Sequence, residues 1–157
     1  MTAIVTLREI ADVNREAVAA LRVAPGQEAY VATVEKSYRD AAAEPDANPW
    51  MRAIYADDEP VGFLMVSWAA PADPPRTGLQ WFLWRLLVDA RHQGKGYGRA
   101  ALLQVIDLVR AAGASEFLTS YEPGPLEPWP FYRRLGFEPT GEVDEGEIVI
   151  RLDLTRS

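Results

Sequence analysis

A chain of 157 residues, 48% of them apolar, with a net charge of −7 suits a single packed domain; the acidic balance fits a cationic small molecule better than a nucleic acid, which would need clustered Lys and Arg. There is no cysteine and only one histidine, His92, which excludes disulfides and thiolate chemistry and argues against a multi-histidine metal site. No apolar run approaches the ~20 residues that span a bilayer and no basic-then-apolar leader opens the chain, so the sequence reads as cytoplasmic with no membrane partner.

Residues 3–10 alternate weakly and predict a first strand. Two helices follow, over 13–21 and 27–43, separated by Ala24-Pro25-Gly26. In the second, Tyr30, Val31, Val34 and Tyr38 recur at helical spacing and predict a core-facing stripe. Residues 51–56 and 61–69 are strand-like around the turn Asp57-Asp58-Glu59-Pro60, which makes a hairpin. Residues 70–78 read as a loop and 80–89 as a long strand. A helix over 96–112 ends at Gly113, and a strand covers 116–121. After a proline-rich loop, 131–135 predict a short helix ending at Gly136, and a turn at Asp144-Glu145-Gly146 splits the rest into two strands. The order is a mixed α/β single domain.

The most informative stretch runs from Leu86 to Ala100. An apolar strand ends at Val88 and Asp89; Gly94, Gly96 and Gly98 follow at alternate positions, and an amphipathic helix begins at Tyr97. Glycines at that spacing leave backbone N–H groups open to approach, and the helix directs its positive dipole end at the same spot. This is a site for a phosphate-bearing ligand. Gly96 to Ala101 also fits the Gly-x-Gly-x-x-Ala turn of a dinucleotide fold, but a hairpin and two helices precede it and too little chain follows for a second mononucleotide half.

Gln93-Gly94-Lys95-Gly96-Tyr97-Gly98 resembles the Gln/Arg-x-x-Gly-x-Gly signature of the GNAT superfamily of N-acetyltransferases, and Phe131 to Phe137 resembles its closing Phe/Leu-Tyr-x-x-x-Gly-Phe motif. Val23 to Gln27 and Pro60 to Phe63 are similar to the bacterial diamine and polyamine branch. The resemblance implies one N-acetyltransferase domain over 1–157: a mixed, mostly antiparallel sheet, splayed at its central strands and flanked by helices. It further implies that acetyl-CoA lies in the gap between the strands at 80–89 and 116–121. Its pantetheine arm would pair with Leu86, Leu87 and Val88 as a false strand, and its pyrophosphate would rest on Gln93, Gly94, Lys95, Gly96, Tyr97, Gly98 and Arg99. Gln93, Lys95 and Arg99 are candidate side-chain donors; for Lys95 and Arg99 plain solvated charge is the alternative.

In this scheme a primary amine attacks the thioester directly. The Leu86 amide stabilises the oxyanion, and Tyr132 protonates the departing thiolate; its alternative is packing beside Phe131 and Phe137. Polyamine enzymes often carry an acid where this chain has Trp84, so a general base must come from elsewhere, with Glu122 and Glu35 as candidates. Pro125 stands in the loop where many relatives place a cofactor-binding asparagine. Tyr30, Tyr38, Trp50, Trp68, Trp81, Trp84 and Trp129 could hold a cation over ring faces or could simply pack, and Glu28, Glu35 and Asp40 could draw in an amine tail or form a solvated face. A diamine or polyamine is the favoured acceptor; an aminoglycoside, an amino acid, a protein N-terminus or a non-catalytic acyl-CoA-binding role are the alternatives. Such relatives often form homodimers.

Overall fold

The computed structural model describes residues 2–69 and 80–155, and the loop expected over 70–78 lies outside them. The elements are β1 (Val5–Glu9), α1 (Arg15–Ala19), α2 (Val34–Ala43), β2 (Trp50–Ala56), β3 (Glu59–Ala69), β4 (Gln80–Val88), α3 (Tyr97–Ala111), β5 (Glu116–Tyr121), α4 (Trp129–Arg134), β6 (Glu138–Asp144) and β7 (Glu147–Asp153), with 3-10 turns at Pro45–Ala47 and Ala90–His92. The strands form one sheet in the order β1-β2-β3-β4-β5-β7-β6. Every neighbouring pair is antiparallel except β4 and β5, which run parallel.

Alternation along the central strands explains why both faces of the sheet are covered. On β2 and β3, Ile54, Ala56, Leu64 and Val66 pack with Ala101, Leu102, Val105, Ile106 and Val109 of α3. Their neighbours Ala53, Tyr55, Phe63 and Met65 pack on the opposite face with Val18 and Leu21 from the α1 region and with Val34, Tyr38 and Ala41 of α2. Side chains of period two therefore feed two cores, one under α3 and α4 and one under α1 and α2. That double burial also explains the unbroken apolar run from Phe63 to Val66.

Three helices depart from the bounds expected from sequence. The helix expected over 27–43 forms only from Val34, because the Thr33 side chain accepts the Lys36 N–H at 3.1 Å and caps it there. Val34, Ser37, Tyr38 and Ala41 make its buried face, while Tyr30 and Val31 lie outside the helix. The helix expected over 13–21 contracts to Arg15–Ala19. The short C-terminal helix starts two residues earlier than expected, at Trp129, with Pro130 in its first turn where the missing N–H costs nothing. Between β6 and β7, Glu145 and Gly146 both take positive φ, 49° and 84°, as a two-residue hairpin requires.

Candidate active site

β4 and β5 are paired only at Phe82–Leu118 and Leu83–Thr119. There the Thr119 hydroxyl donates to the Leu83 carbonyl at 2.8 Å and closes the apex of a V. Beyond it the two strands part, and among the described residues no strand pairs with that edge of β4 from Trp84 to Val88. Asp89 N–H donates to Val61 O at 2.8 Å, and in an antiparallel ladder alternate residues turn to the same neighbour. Leu87 therefore spends its peptide groups on β3, whereas Leu86 presents both of its own, and Val88 its N–H, to the gap. Opposite β3, Met65 faces Arg85 but Val66 faces Leu83, so Trp84 is the extra residue of a bulge.

The glycine turn continues from β4. Asp89, 5% exposed, anchors it by accepting from Arg22 N–H at 3.0 Å, Arg91 N–H at 3.3 Å and Arg91 Nε at 3.0 Å. Burial opposes its charge, but these hydrogen bonds outweigh it and hold the carboxyl below the usual range. Gly94 and Gly96 take φ of 77° and 83°, Gly96 standing as the N-cap of α3 with no atom crowding its Cβ position. At Gly98 a Cβ would press on Val88 at 3.3 Å, so the missing side chain keeps the helix end against the strand. A concavity of about 380 Å³ results, lined by Val88, Gln93, Gly94, Gly96, Tyr97, Gly98 and Arg99 from the turn and by Phe131 and Arg134 of α4, among others.

From sequence the Gln93 side chain is a candidate donor to the ligand. Instead its Nε2 donates to Val88 O at 2.9 Å and to Gln27 Oε1 at 2.8 Å, so it braces the turn from within. Lys95 and Arg99 are exposed and form no ion pair among the described residues. Arg134, which the sequence reading passed over, adds a third cation to the rim of the glycine turn. Its place three residues after Phe131, nearly one turn along α4, was the available signal.

Tyr132 is 7% exposed, set edge-on to Phe131 and Phe137 with ring centroids 5.2 and 5.4 Å away. Packing and a polar role coexist here. Burial drives its phenol well above the ordinary tyrosine range; a hydrogen bond with the Thr119 side chain counters this, and the charge of Glu147 adds to it. The phenol thus meets the hydroxyl that closes the V.

A larger cleft of about 770 Å³ runs from this apex to the segment joining α1 and α2. Leu86, Leu87, Val88, Tyr132 and Thr119 line it, together with Glu28, Glu122, Glu127 and Glu147. The cleft is bridged: Leu126 N–H donates to the Tyr30 hydroxyl at 3.0 Å, linking the β5–α4 loop to the segment before α2. Of the seven aromatics considered from sequence, Tyr30 and Trp84 line the cleft. Tyr38 instead packs on Phe63, Trp68 stacks on Trp81 at 5.3 Å, Trp129 stacks on Tyr121 at 5.9 Å, and Trp50 lies under the Arg52 guanidinium.

Residues 11–137 match the model of the acetyltransferase (GNAT) family. The chain belongs to that family. The curated spermine/spermidine N(1)-acetyltransferase of Bacillus subtilis strain 168 is 27% identical over 152 residues, covering 96% of this chain and 99% of the relative. Among solved structures, the PaiA N-acetyltransferase of Thermoplasma acidophilum, in complex with coenzyme A, superposes with a TM-score of 0.66 at 15% identity, over 96% of this chain and 99% of that one. An acetyltransferase from Thermus thermophilus gives 0.68 at 22% identity, over 98% and 99%. The splayed mixed sheet seen here is the fold these neighbours share.

For a GNAT acetyltransferase, which uses acetyl-CoA, the residues present suit the co-substrate: a strand edge with free peptide groups leads to an uncrowded glycine cradle at a helix N-terminus. The two candidate bases fare differently. Glu35 is exposed and 3.6 Å from Arg22, and is absent from the cleft lining; Glu122 lines it but bonds to nothing among the described residues. Asp40 accepts from Lys36 Nζ at 2.8 Å and from Arg85 at 2.7 Å. The Lys36 hydrogen bond, over some loss of solvation and with help from Arg85, holds its carboxyl below the ordinary range.

Proposed function

We propose that this acetyltransferase moves an acetyl group from acetyl-CoA directly to a primary amine of a slim cation, a diamine or polyamine, in the cytoplasm. The observation carrying this reading is that four carboxylates, Glu28, Glu122, Glu127 and Glu147, share one cleft with the β4 edge and Tyr132. Walls of that sign attract an ammonium chain. Two of the cations in the lining, Lys36 and Arg85, are offset by Asp40, and Arg134 also borders the glycine turn. The Tyr30–Leu126 bridge favours a thin, flexible acceptor over a folded surface. The name of the Bacillus relative supports the same class.

When bound, acetyl-CoA supplies a thioester carbonyl and a thiolate leaving group. On this reading Leu86 through its peptide groups and Val88 through its N–H hold its amide-rich arm, as a strand edge holds a peptide, and Leu87 packs beside it with its side chain. Leu86 N–H donates to the carbonyl oxygen as charge develops, a preorganised contact worth ~3 kcal/mol. The backbone of Gln93, Gly94, Lys95, Gly96, Tyr97, Gly98 and Arg99 holds the diphosphate at the positive end of α3, with Lys95, Arg99 and Arg134 adding charge. Tyr132 protonates the sulfur, and its upward-shifted pKa keeps that proton in place at neutral pH.

An acceptor panel tests the substrate class: spermidine, putrescine, an aminoglycoside, free amino acids and a peptide α-amine, each with acetyl-CoA, reading released thiol. Saturable turnover with spermidine or putrescine is expected. Turnover confined to the peptide amine would overturn the reading.

A further inference from the structure

An alkyl ammonium cannot attack a carbonyl until it has lost a proton, and neither acid considered from sequence is held in place for that task. Glu147 is. At the start of β7 it accepts a hydrogen bond from the Ser120 hydroxyl at 3.0 Å, and both residues line the cleft that contains Tyr132. Thr119 and Tyr121 sit on either side of Ser120 in β5, and Tyr121 packs in the core under α3 and α4. By strand alternation Ser120 therefore faces the other side of the sheet. Glu147 follows the same logic, since Ile148 and Ile150 join the core under α3 and α4. The carboxylate and the phenol thus reach one gap from opposite faces, close enough for the charge of Glu147 to act on Tyr132.

We propose that Glu147, fixed by Ser120, is the catalytic base that takes the acceptor's proton, an assignment that rests on the amine-acetylation reading above. Glu147 removes one proton from the ammonium and passes it to solvent. The freed nitrogen lone pair forms the C–N bond to the thioester carbon. As the C–S bond breaks, the nitrogen gives its second proton to water while Tyr132 gives its own to sulfur and takes one back from that water. The balance is one amide, one thiol and one proton released. The hydroxyl of Ser120 is a positioning group: it directs the second carboxylate oxygen toward the cleft.

The test compares wild type with Glu147→Gln, which keeps the shape and an oxygen for Ser120. Glu147→Gln should lower kcat/KM for spermidine ~100-fold at pH 7. The wild-type profile should be flat through neutral pH, and the variant's should climb about tenfold per pH unit toward the pKa of the amine, where the free base forms unaided. With trifluoroethylamine, already neutral at pH 7, the variant should stay within a few-fold of wild type. Spermidine binding at saturating coenzyme A, read by calorimetry, should weaken about tenfold, a charge-assisted contact being lost, while coenzyme A affinity holds. Ser120→Ala should steepen the profile in the same sense, and Ser120→Thr should restore it. A Glu147→Gln enzyme with the wild-type pH profile and spermidine affinity overturns the assignment. Failure of the polyamine reading would show in wild type alone, whereas failure of this inference shows only between wild type and variant.

Discussion

Tyr132 meets two demands at once: it fills the core beside Phe131 and Phe137, and its hydroxyl sits at the apex of the β4–β5 gap with Thr119. Burial favours the neutral phenol, so the proton it would give is retained across the physiological range. Tyr132→Phe should lower kcat by ~100-fold and leave coenzyme A affinity within about twofold, measured by steady-state kinetics and calorimetry; equal losses in both would assign the ring to packing alone. Because its pKa lies above the ordinary value, no phenol inflection should appear in the wild-type rate up to about pH 10. Asp89 shows the opposite sign. Its folded-state pKa is depressed, so its contribution is complete above about pH 4, the ordinary aspartate value, and fades as pH falls through the lower folded value. Asp89→Asn should cost ~1–3 kcal/mol in urea unfolding at pH 7, and the two curves should converge in acid; a gap that persists undiminished at pH 2 would contradict the ionic account.

At the scale of elements, the strand–turn–helix from β4 to α3 was legible because its demands are local. Glycine at left-handed positions, an apolar strand before and an amphipathic helix after each leave a mark in the sequence. Gly96→Glu should weaken coenzyme A binding at least tenfold by placing a like charge in the cradle, with ~1–2 kcal/mol of backbone strain besides; unchanged calorimetric affinity would refute the cradle. The segment before α2 was not legible. Tyr30 and Val31 fall at helical spacing with Val34 and Tyr38, yet the pattern carried no sign that Thr33 would cap the helix or that Tyr30 would serve the β5–α4 loop 96 residues away. The bracing role of the Gln93 side chain was hidden for a related reason: a polar residue in a glycine turn reads as a candidate ligand donor until its contact with Gln27, 66 residues distant, is seen. Glu147 was missed because its partner Ser120 lies on another strand, and a glutamate after a hairpin turn is ordinary in sequence.

For the molecule as a whole, composition and element order sufficed to place the chain in a mixed α/β class, and the family motifs in its second half supplied the splayed sheet. What they did not supply was how the first half closes over the second. The α1–α2 connection is tied to the glycine turn through Arg22, whose N–H donates to Asp89 and whose carbonyl accepts from Ala90 N–H at 2.7 Å, and through Gln27 to Gln93. Its far end meets the β5–α4 loop, where Gly124 passes so close to the Tyr30 ring that a Cβ would lie 2.4 Å from the hydroxyl. One short stretch of backbone therefore touches both the nucleotide end and the amine end of the cavity. The consequence is kinetic: seating the coenzyme should set the doorway through which the amine enters, making the binding order compulsory, acetyl-CoA first and coenzyme A released last. Product-inhibition patterns would show it, with coenzyme A competing against acetyl-CoA and not against the amine, and a random-order pattern would mean that this stretch leaves the two ends independent.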